Sequence, residues 1–212
     1  MFRTLPLLAL LLLAACSSAY YKAMETFGVE KRDILVDRIE EGRDAQQEAK
    51  AEFQSALQAF KATTGFQGGD LEAVYEKLDG RLQDCDARAR GVRGRIEAIE
   101  DVASDLFAEW KQEAGQYSDP KLRAQSEQML RDTRERYGSL VAAMKKAEAT
   151  MEPVLSAFRD QVLFLKHNLN AQAIASLAGN VASIEDDVAR LVADMEASIA
   201  EADAFIRSMG AG

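Results

Sequence analysis

Residues 35–60 read LVDRIEEGRDAQQEAKAEFQSALQAF, and within them Leu35, Ile39, Gly42, Gln46, Ala49, Phe53, Ala56 and Phe60 fall at steps of four and three in strict alternation. Small and apolar side chains on that spacing line one face of an α-helix and recur every seven residues, which is the seam of a coiled coil. A helix with one apolar stripe cannot bury it alone. The rest of the chain must supply partners of similar length.

It supplies three. The first helix stops at the turn Thr63-Thr64-Gly65-Phe66-Gln67-Gly68-Gly69-Asp70, where glycines end a helix and Asp70 is placed to cap the next. A second seam follows: Leu71, Val74, Leu78, Leu82, Cys85, Ala89, Val92, Ile96, Ile99, Ala103, Leu106 and Trp110, with a stutter between Leu78 and Leu82. The break Gly115-Gln116-Tyr117-Ser118-Asp119-Pro120 places a cap donor before a proline suited to the first helical position. The third seam runs Leu122, Ser126, Met129, Thr133, Tyr137, Leu140, Met144, Ala147, Met151, Val154, Phe158, Val162 and Leu165, and it continues through Pro153, where a bend is expected rather than a stop. After Asn168-Leu169-Asn170 the fourth shows Leu177, Val181, Ile184, Val188, Leu191, Met195, Ser198, Ala202, Phe205 and Met209.

The spacing therefore predicts an all-α protein with helices over about 30–63, 70–115, 120–167 and 171–209, forming one bundle within residues 30–212. Each helix would be roughly 50 to 70 Å long at 1.5 Å per residue. Short turns make each run antiparallel to its predecessor. The expected architecture is an elongated up-down-up-down four-helix coiled-coil bundle with a left-handed supercoil. Seams rich in Ala, Gly, Ser and Thr predict close axes, with Phe53, Phe60, Trp110, Phe158 and Phe205 carrying most of the local burial.

Composition narrows the class further. The chain has 212 residues, 48% hydrophobic and 29% charged, with a formal net charge of -9, two cysteines and one histidine. It is too apolar for a disordered chain, too poor in cysteine for a disulfide scaffold, and too acidic to grip nucleic acid by neutralising phosphates.

Residues 1–15 form a segment apart. Arg3 precedes an apolar run from Leu5 to Leu13, too short to span a bilayer, and Leu13-Ala14-Ala15-Cys16 resembles the lipobox of bacterial lipoproteins. On that reading residues 1–15 are a cleaved signal peptide and Cys16 becomes the lipidated first residue, palmitate included, with residues 16–29 a short tether. The alternative is an ordinary secretory signal with an incidental cysteine. Ser17 stands after Cys16 where an Asp would mark inner-membrane retention, so the expected location is the outer membrane, facing the periplasm. Lipidation of Cys16 leaves Cys85 as the sole thiol, either a small buried hydrophobe or the partner of a second copy's Cys85.

The stretches Lys31-Arg32-Asp33-Ile34-Leu35-Val36-Asp37-Arg38 and Val162-Leu163-Phe164-Leu165-Lys166-His167-Asn168-Leu169-Asn170-Ala171 resemble a family of bacterial lipoproteins classed only as a domain of unknown function, number 2959. The resemblance implies a Gram-negative cell envelope and a helical, coiled-coil-rich chain. It supplies no activity and no catalytic residues.

The residues themselves offer no catalytic constellation. A lone His167 excludes a multi-histidine zinc site and a bundle di-iron site, and no phosphate-binding glycine loop, haem motif or nucleophile elbow is present. Glu185-Asp186-Asp187 and the group Glu97, Glu100, Asp101 read as solvated faces, so no metal and no cofactor is expected. Three features remain as candidate partner surfaces. Around Ile34, Leu35 and Val36, either the helix is buried on two sides or an apolar strip rimmed by Lys31, Arg32, Asp33, Asp37 and Arg38 meets a partner. Arg81, Arg88, Arg90, Arg93 and Arg95 form either a salt-bridged face with Asp84, Asp86 and Glu97 or a contact for anionic headgroups or polymers. Lys166, His167, Asn168 and Asn170 either cap a turn or mark a docking tip far from the lipid. The expected function is a non-catalytic, membrane-anchored helical adaptor that binds another envelope protein. The alternative is a carrier of a lipid or peptide between its helices, and homo-oligomerisation is compatible with both.

Overall fold

The computed structural model of the protein describes residues 30–65 and 68–210; the signal segment, Cys16 and the tether lie outside them. Four helices follow in order: α1 Lys31–Thr64, α2 Leu71–Ala114, α3 Pro120–His167 and α4 Ala171–Gly210. They have 34, 44, 48 and 40 residues. The helix ends are held by the chemistry the turns announce. Asp70 accepts hydrogen bonds from the backbone N–H groups of Glu72 and Ala73, and Asp119 accepts one from Lys121 ahead of Pro120 at the helix start. Gly68 and Gly69 adopt φ of 131° and 134°, which side chains with a Cβ resist. α3 runs through Pro153 unbroken.

The helices pack as an antiparallel bundle in which each touches its sequence neighbour and α1 also packs on α4. Side-chain pairs measure the register. Arg43 meets Asp203, Lys50 meets Glu196 and Lys61 meets Glu185, so α4 descends residue for residue as α1 rises. Between α2 and α3, Lys145 meets Glu100 and the Arg134 guanidinium donates to the Phe107 carbonyl, 3.1 Å away.

The seam of α1 is buried along its whole length, from Leu35 to Phe60. Near its middle, Gly42 lets α1 come so close that an added Cβ would stand 2.8 Å from Ile99 Cδ1 of α2 and 3.4 Å from Met144 Cε of α3. Toward the α1 C-terminus, Phe158 of α3 reaches across the core and stacks on Phe60, with centroids 4.6 Å apart and planes 7° from parallel, and on Phe53 at 6.4 Å. Toward the other end, Tyr137 stands edge-on between Phe107 and Phe205. One fully buried polar pair interrupts the apolar core: Ser198 Oγ of α4 donates to Gln46 Oε1 of α1 at 2.8 Å, and Gln46 Nε2 has no hydrogen-bond partner among the described residues.

Three seam assignments are corrected. Leu122 and Met129 are 51% and 52% exposed, and Trp110 is only partly buried. The cause is a difference in helix length. Lys31, at the first residue of α1, pairs with Glu109 of α2, and Met209 near the end of α4 lies beside Thr133 of α3. Among the described residues, the end of α2 and the first turns of α3 project beyond both α1 and α4; there the hairpin buries Ala114 and Leu130 and leaves Leu122 and Met129 outside. Phe107, absent from the expected seam, is buried beneath Arg134, whose guanidinium lies 5.2 Å from the ring centroid.

Two substitutions test this core. Phe158→Ala removes the ring shared by Phe53 and Phe60, and a loss of about 3 to 5 kcal/mol of unfolding free energy is expected in a denaturant titration. Ser198→Ala leaves the Gln46 amide oxygen buried without its donor, at an expected cost of about 1 to 3 kcal/mol, whereas Gln46→Leu combined with Ser198→Ala recovers most of that loss.

Candidate functional site

The middle of the bundle is chemically closed. The five arginines of α2 are all engaged: Arg81 with Glu52, Arg88 with Glu48 and Arg95 with Glu41 on α1, Arg93 with Glu148 on α3, and Arg90 with Asp86 on its own helix. Most of these ties run between helices, not along the one helix the spacing suggested. Three of the six acids singled out are engaged as well: Glu185 pairs with Lys61, Glu100 with Lys145 and Asp187 with Arg190. Each exposed pair contributes about 0.2 to 1 kcal/mol at most, so together they set register more than they hold the fold. Among the described residues no cluster of His, Cys, Asp or Glu is arranged to hold a metal ion.

Cys85 is completely buried on the seam of α2. Burial pushes its thiol up to about 12, with the carboxylates of Glu52 and Asp84 acting in the same sense and Arg81 opposing. A thiol held neutral and out of water is neither nucleophilic nor able to reach a second copy in the folded state.

The nine residues singled out as a partner surface fall at opposite ends of the bundle. Lys31, Arg32, Asp33, Asp37 and Arg38 lie at the basal end, where the chain enters α1. There Ile34 and Leu35 are buried and Val36 is half-buried, so these three form no exposed strip. Lys31 Nζ lies 2.8 Å from Glu109 Oε2 and Arg38 Nη1 2.8 Å from Glu41 Oε2.

Lys166, His167, Asn168 and Asn170 lie at the distal end, beside the Gly68-Gly69 turn. Both asparagines work on backbone groups. Asn168 Nδ2 donates to the Phe164 carbonyl at 3.0 Å, and Asn170 Oδ1 accepts from the Ala173 N–H at 3.1 Å. Around them stands a feature the seam reading passed over: Leu163, Phe164 and Leu169 are 54%, 41% and 45% exposed. Leu163 and Phe164 lie between seam positions Val162 and Leu165 and fall on the outer face of α3, while Leu169 sits in the turn. The signal was in the sequence as the apolar run Val162-Leu163-Phe164-Leu165, of which one seam can bury only two members.

The basal end carries the second exposed apolar group. Beneath the first turn of α1 opens a cleft of about 580 Å³, with Leu106, Trp110, Met129, Thr133 and Met209 in its walls. Trp110 Nε1 donates to Ser126 Oγ at 2.9 Å, which fixes the indole across the α2–α3 hairpin. A shallower depression of about 630 Å³ runs between α1 and α4 over Leu57, Val188 and Val192. No helix among the described residues is long and apolar enough to cross a membrane.

The model of a family described as a protein of unknown function, DUF2959, matches residues 20–209. No curated protein and no solved structure matches the chain.

The state of Cys85 and Tyr137 gives a pH test. Burial pushes the Tyr137 phenol up to about 12, with Glu100 and Asp101 adding to it. In the unfolded chain the two groups lose their protons near their ordinary values of 9.0 and 10.0, before the folded protein does. Stability is therefore fully present below about pH 9 and falls as pH climbs toward 12. Chemical denaturation at stepped alkaline pH should show this loss, reduced in the pair Cys85→Ala and Tyr137→Phe. Native protein at pH 8 should leave Cys85 unlabelled by a thiol reagent that modifies it fully in denaturant.

Proposed function

This chain belongs to the DUF2959 family, and on that premise we propose that it is a lipid-anchored periplasmic protein of the outer membrane that acts as a non-catalytic helical adaptor, docking another envelope protein on its distal tip. The observation that carries the reading is the exposed apolar trio Leu163, Phe164 and Leu169 beside Lys166 and His167, at the end of the bundle away from the start of α1. Large apolar side chains clustered in water are the usual mark of a protein contact, and cationic neighbours give such a contact orientation.

The anchor is supported by the sequence Leu13-Ala14-Ala15-Cys16. An acylated N-terminus fixes the basal end at the membrane, because two or three acyl chains at about 0.8 kcal/mol per methylene hold stably. α1 then leads away from the bilayer, and the α3–α4 turn stands at the far end of a rod whose longest helix of 48 residues spans roughly 70 Å at 1.5 Å per residue. A sealed core and self-paired flanks suit a spacer, which must transmit position and has no substrate to admit.

Two measurements test the reading. Cys16→Ala should move the protein from the membrane fraction to the soluble one and abolish incorporation of labelled palmitate. A photo-crosslinking residue at Phe164 should capture one defined envelope protein in intact cells, and the same residue at exposed Gln83 in mid-bundle should not. Phe164→Asp should abolish function in cells while leaving the bundle folded, since the side chain is 41% exposed and lies outside the core. Capture that is equal at both positions, or absent at Phe164, overturns the adaptor.

A further inference from the structure

We propose that the α2–α3 hairpin, close to its turn, carries a binding site for a phosphate group, built from Lys111, Arg123, Arg131 and Arg134. The four side chains line one open depression of about 330 Å³, and the one carboxylate among its described lining residues is Glu127. Helical spacing brings them together. Arg123, Glu127, Arg131 and Arg134 follow at steps of four, four and three on one face of α3, opposite Lys111 and Ala114 on one face of α2. Ala114 and Leu130 are buried beneath them and give the depression an apolar floor.

The charge balance is local and runs against the rest of the molecule. The chain has a net charge of -9, and Arg81, Arg93 and Arg95 in mid-bundle are matched by carboxylates of neighbouring helices. Here Arg123 Nε lies 3.4 Å from Glu127 Oε1, but Lys111, Arg131 and Arg134 have no carboxylate in ion-pair contact among the described residues. The acids Glu113 and Asp132 of the same stretches line the cleft under α1 instead. Two guanidinium groups are held ready: Arg134 lies over the Phe107 ring and donates to the Phe107 carbonyl, and Arg131 Nη2 donates to Gln128 Oε1 at 2.7 Å. Each of these bonds uses one of five N–H donors and leaves the positive charge unmatched. Capping explains part of the group, since the last carbonyls of α2 attract Lys111 and accept from Arg123 at Gly115. It does not explain Arg131 and Arg134, which come from the interior of α3.

The donors select a compact anion of high charge. Guanidinium forks match the oxygens of phosphate, and a phosphate monoester brings a charge of about -1.5 to -2 on several acceptors, where a carboxylate brings one charge and two oxygens. A long polyanion would meet repulsion from the acidic remainder of the chain. The volume sits near the lower end of the range of about 300 to 1,000 Å³ usual for small-ligand sites, so it admits a phosphate with a small ester group. Inorganic phosphate and the headgroup of an anionic phospholipid both present that chemistry.

The full chain, purified in a neutral detergent and a low-salt chloride buffer, tests the site. Titration calorimetry with inorganic phosphate reads the free anion, and native mass spectrometry with phosphatidylglycerol or phosphatidylcholine reads the headgroup. At least one of phosphate and phosphatidylglycerol should bind saturably, one per chain, with affinity falling about tenfold in Lys111→Gln and in Arg131→Gln. Lys77→Gln, exposed at the distal end of α2, should leave that affinity unchanged. All three variants should keep the parent's denaturant midpoint, because the side chains are exposed. Binding of inorganic phosphate with this pattern assigns the site to the free anion, and the pattern with phosphatidylglycerol alone assigns it to the headgroup. No binding of either, equal losses in Lys77→Gln, or phosphatidylcholine retained as well as phosphatidylglycerol overturns the proposal. None of these readings involves Phe164 or the acylation of Cys16, so failure here leaves the adaptor reading standing.

Discussion

The whole structure hangs on α1 lying in register between α2 and α4. Among the described residues it is the shortest of the four helices and the one that closes the ring, and its seam is a poor adhesive: Gly42, Gln46, Ala49 and Ala56 offer little apolar area. What they offer is proximity. Gly42 brings the α1 backbone within van der Waals reach of Ile99, and Gln46 meets Ser198 at 2.8 Å in a core otherwise free of such pairs among the described residues. A slip of one heptad would keep apolar residues on the seam but bury Gln46 against side chains with nothing to donate. That cost, about 1 to 3 kcal/mol, separates the native register from its nearest competitors. The α1–α4 ion pairs impose the same answer from outside.

How much of this was legible follows from what repeats. The helices, their caps and their buried faces repeat every seven residues, so the four-three alternation located Leu35 through Phe60 and Leu140 through Leu165 without fault. Relative helix length does not repeat. Nothing in the spacing of Leu122, Ser126 and Met129 says that α4 stops before reaching them, and so two apolar seam residues stand in solvent. Partner choice for the arginines was equally hidden. Intrahelical spacing pointed Arg81 and Arg93 at acids of α2, but Glu52 and Glu148 on neighbouring helices are better placed, because adjacent axes come close where the seam is thin.

The candidate surfaces were legible only in part, for a related reason. A charged residue flanking a seam looks the same in sequence whether it guards a core or frames a binding site. Lys31 and Arg38 prove to hold carboxylates over a buried Ile34 and Leu35, while Lys166 and His167 border side chains that remain in water. The deciding difference is depth in the bundle. Near mid-helix every apolar run finds two neighbouring helices, whereas beside the α3–α4 turn there is too little structure beyond Leu165 to cover a second face.

A rod built this way has its chemistry concentrated at its ends. Along the flanks, many cations and anions pair across helices, and Cys85 is buried on the α2 seam. At each end the bundle runs out of partners and apolar side chains are left over. The two ends then differ in one respect: the chain enters α1 at the basal one, and the α3–α4 turn closes the distal one. Leu163, Phe164 and Leu169 gather in water beside that turn, next to Lys166 and His167, and this makes the far tip the place to seek a second protein.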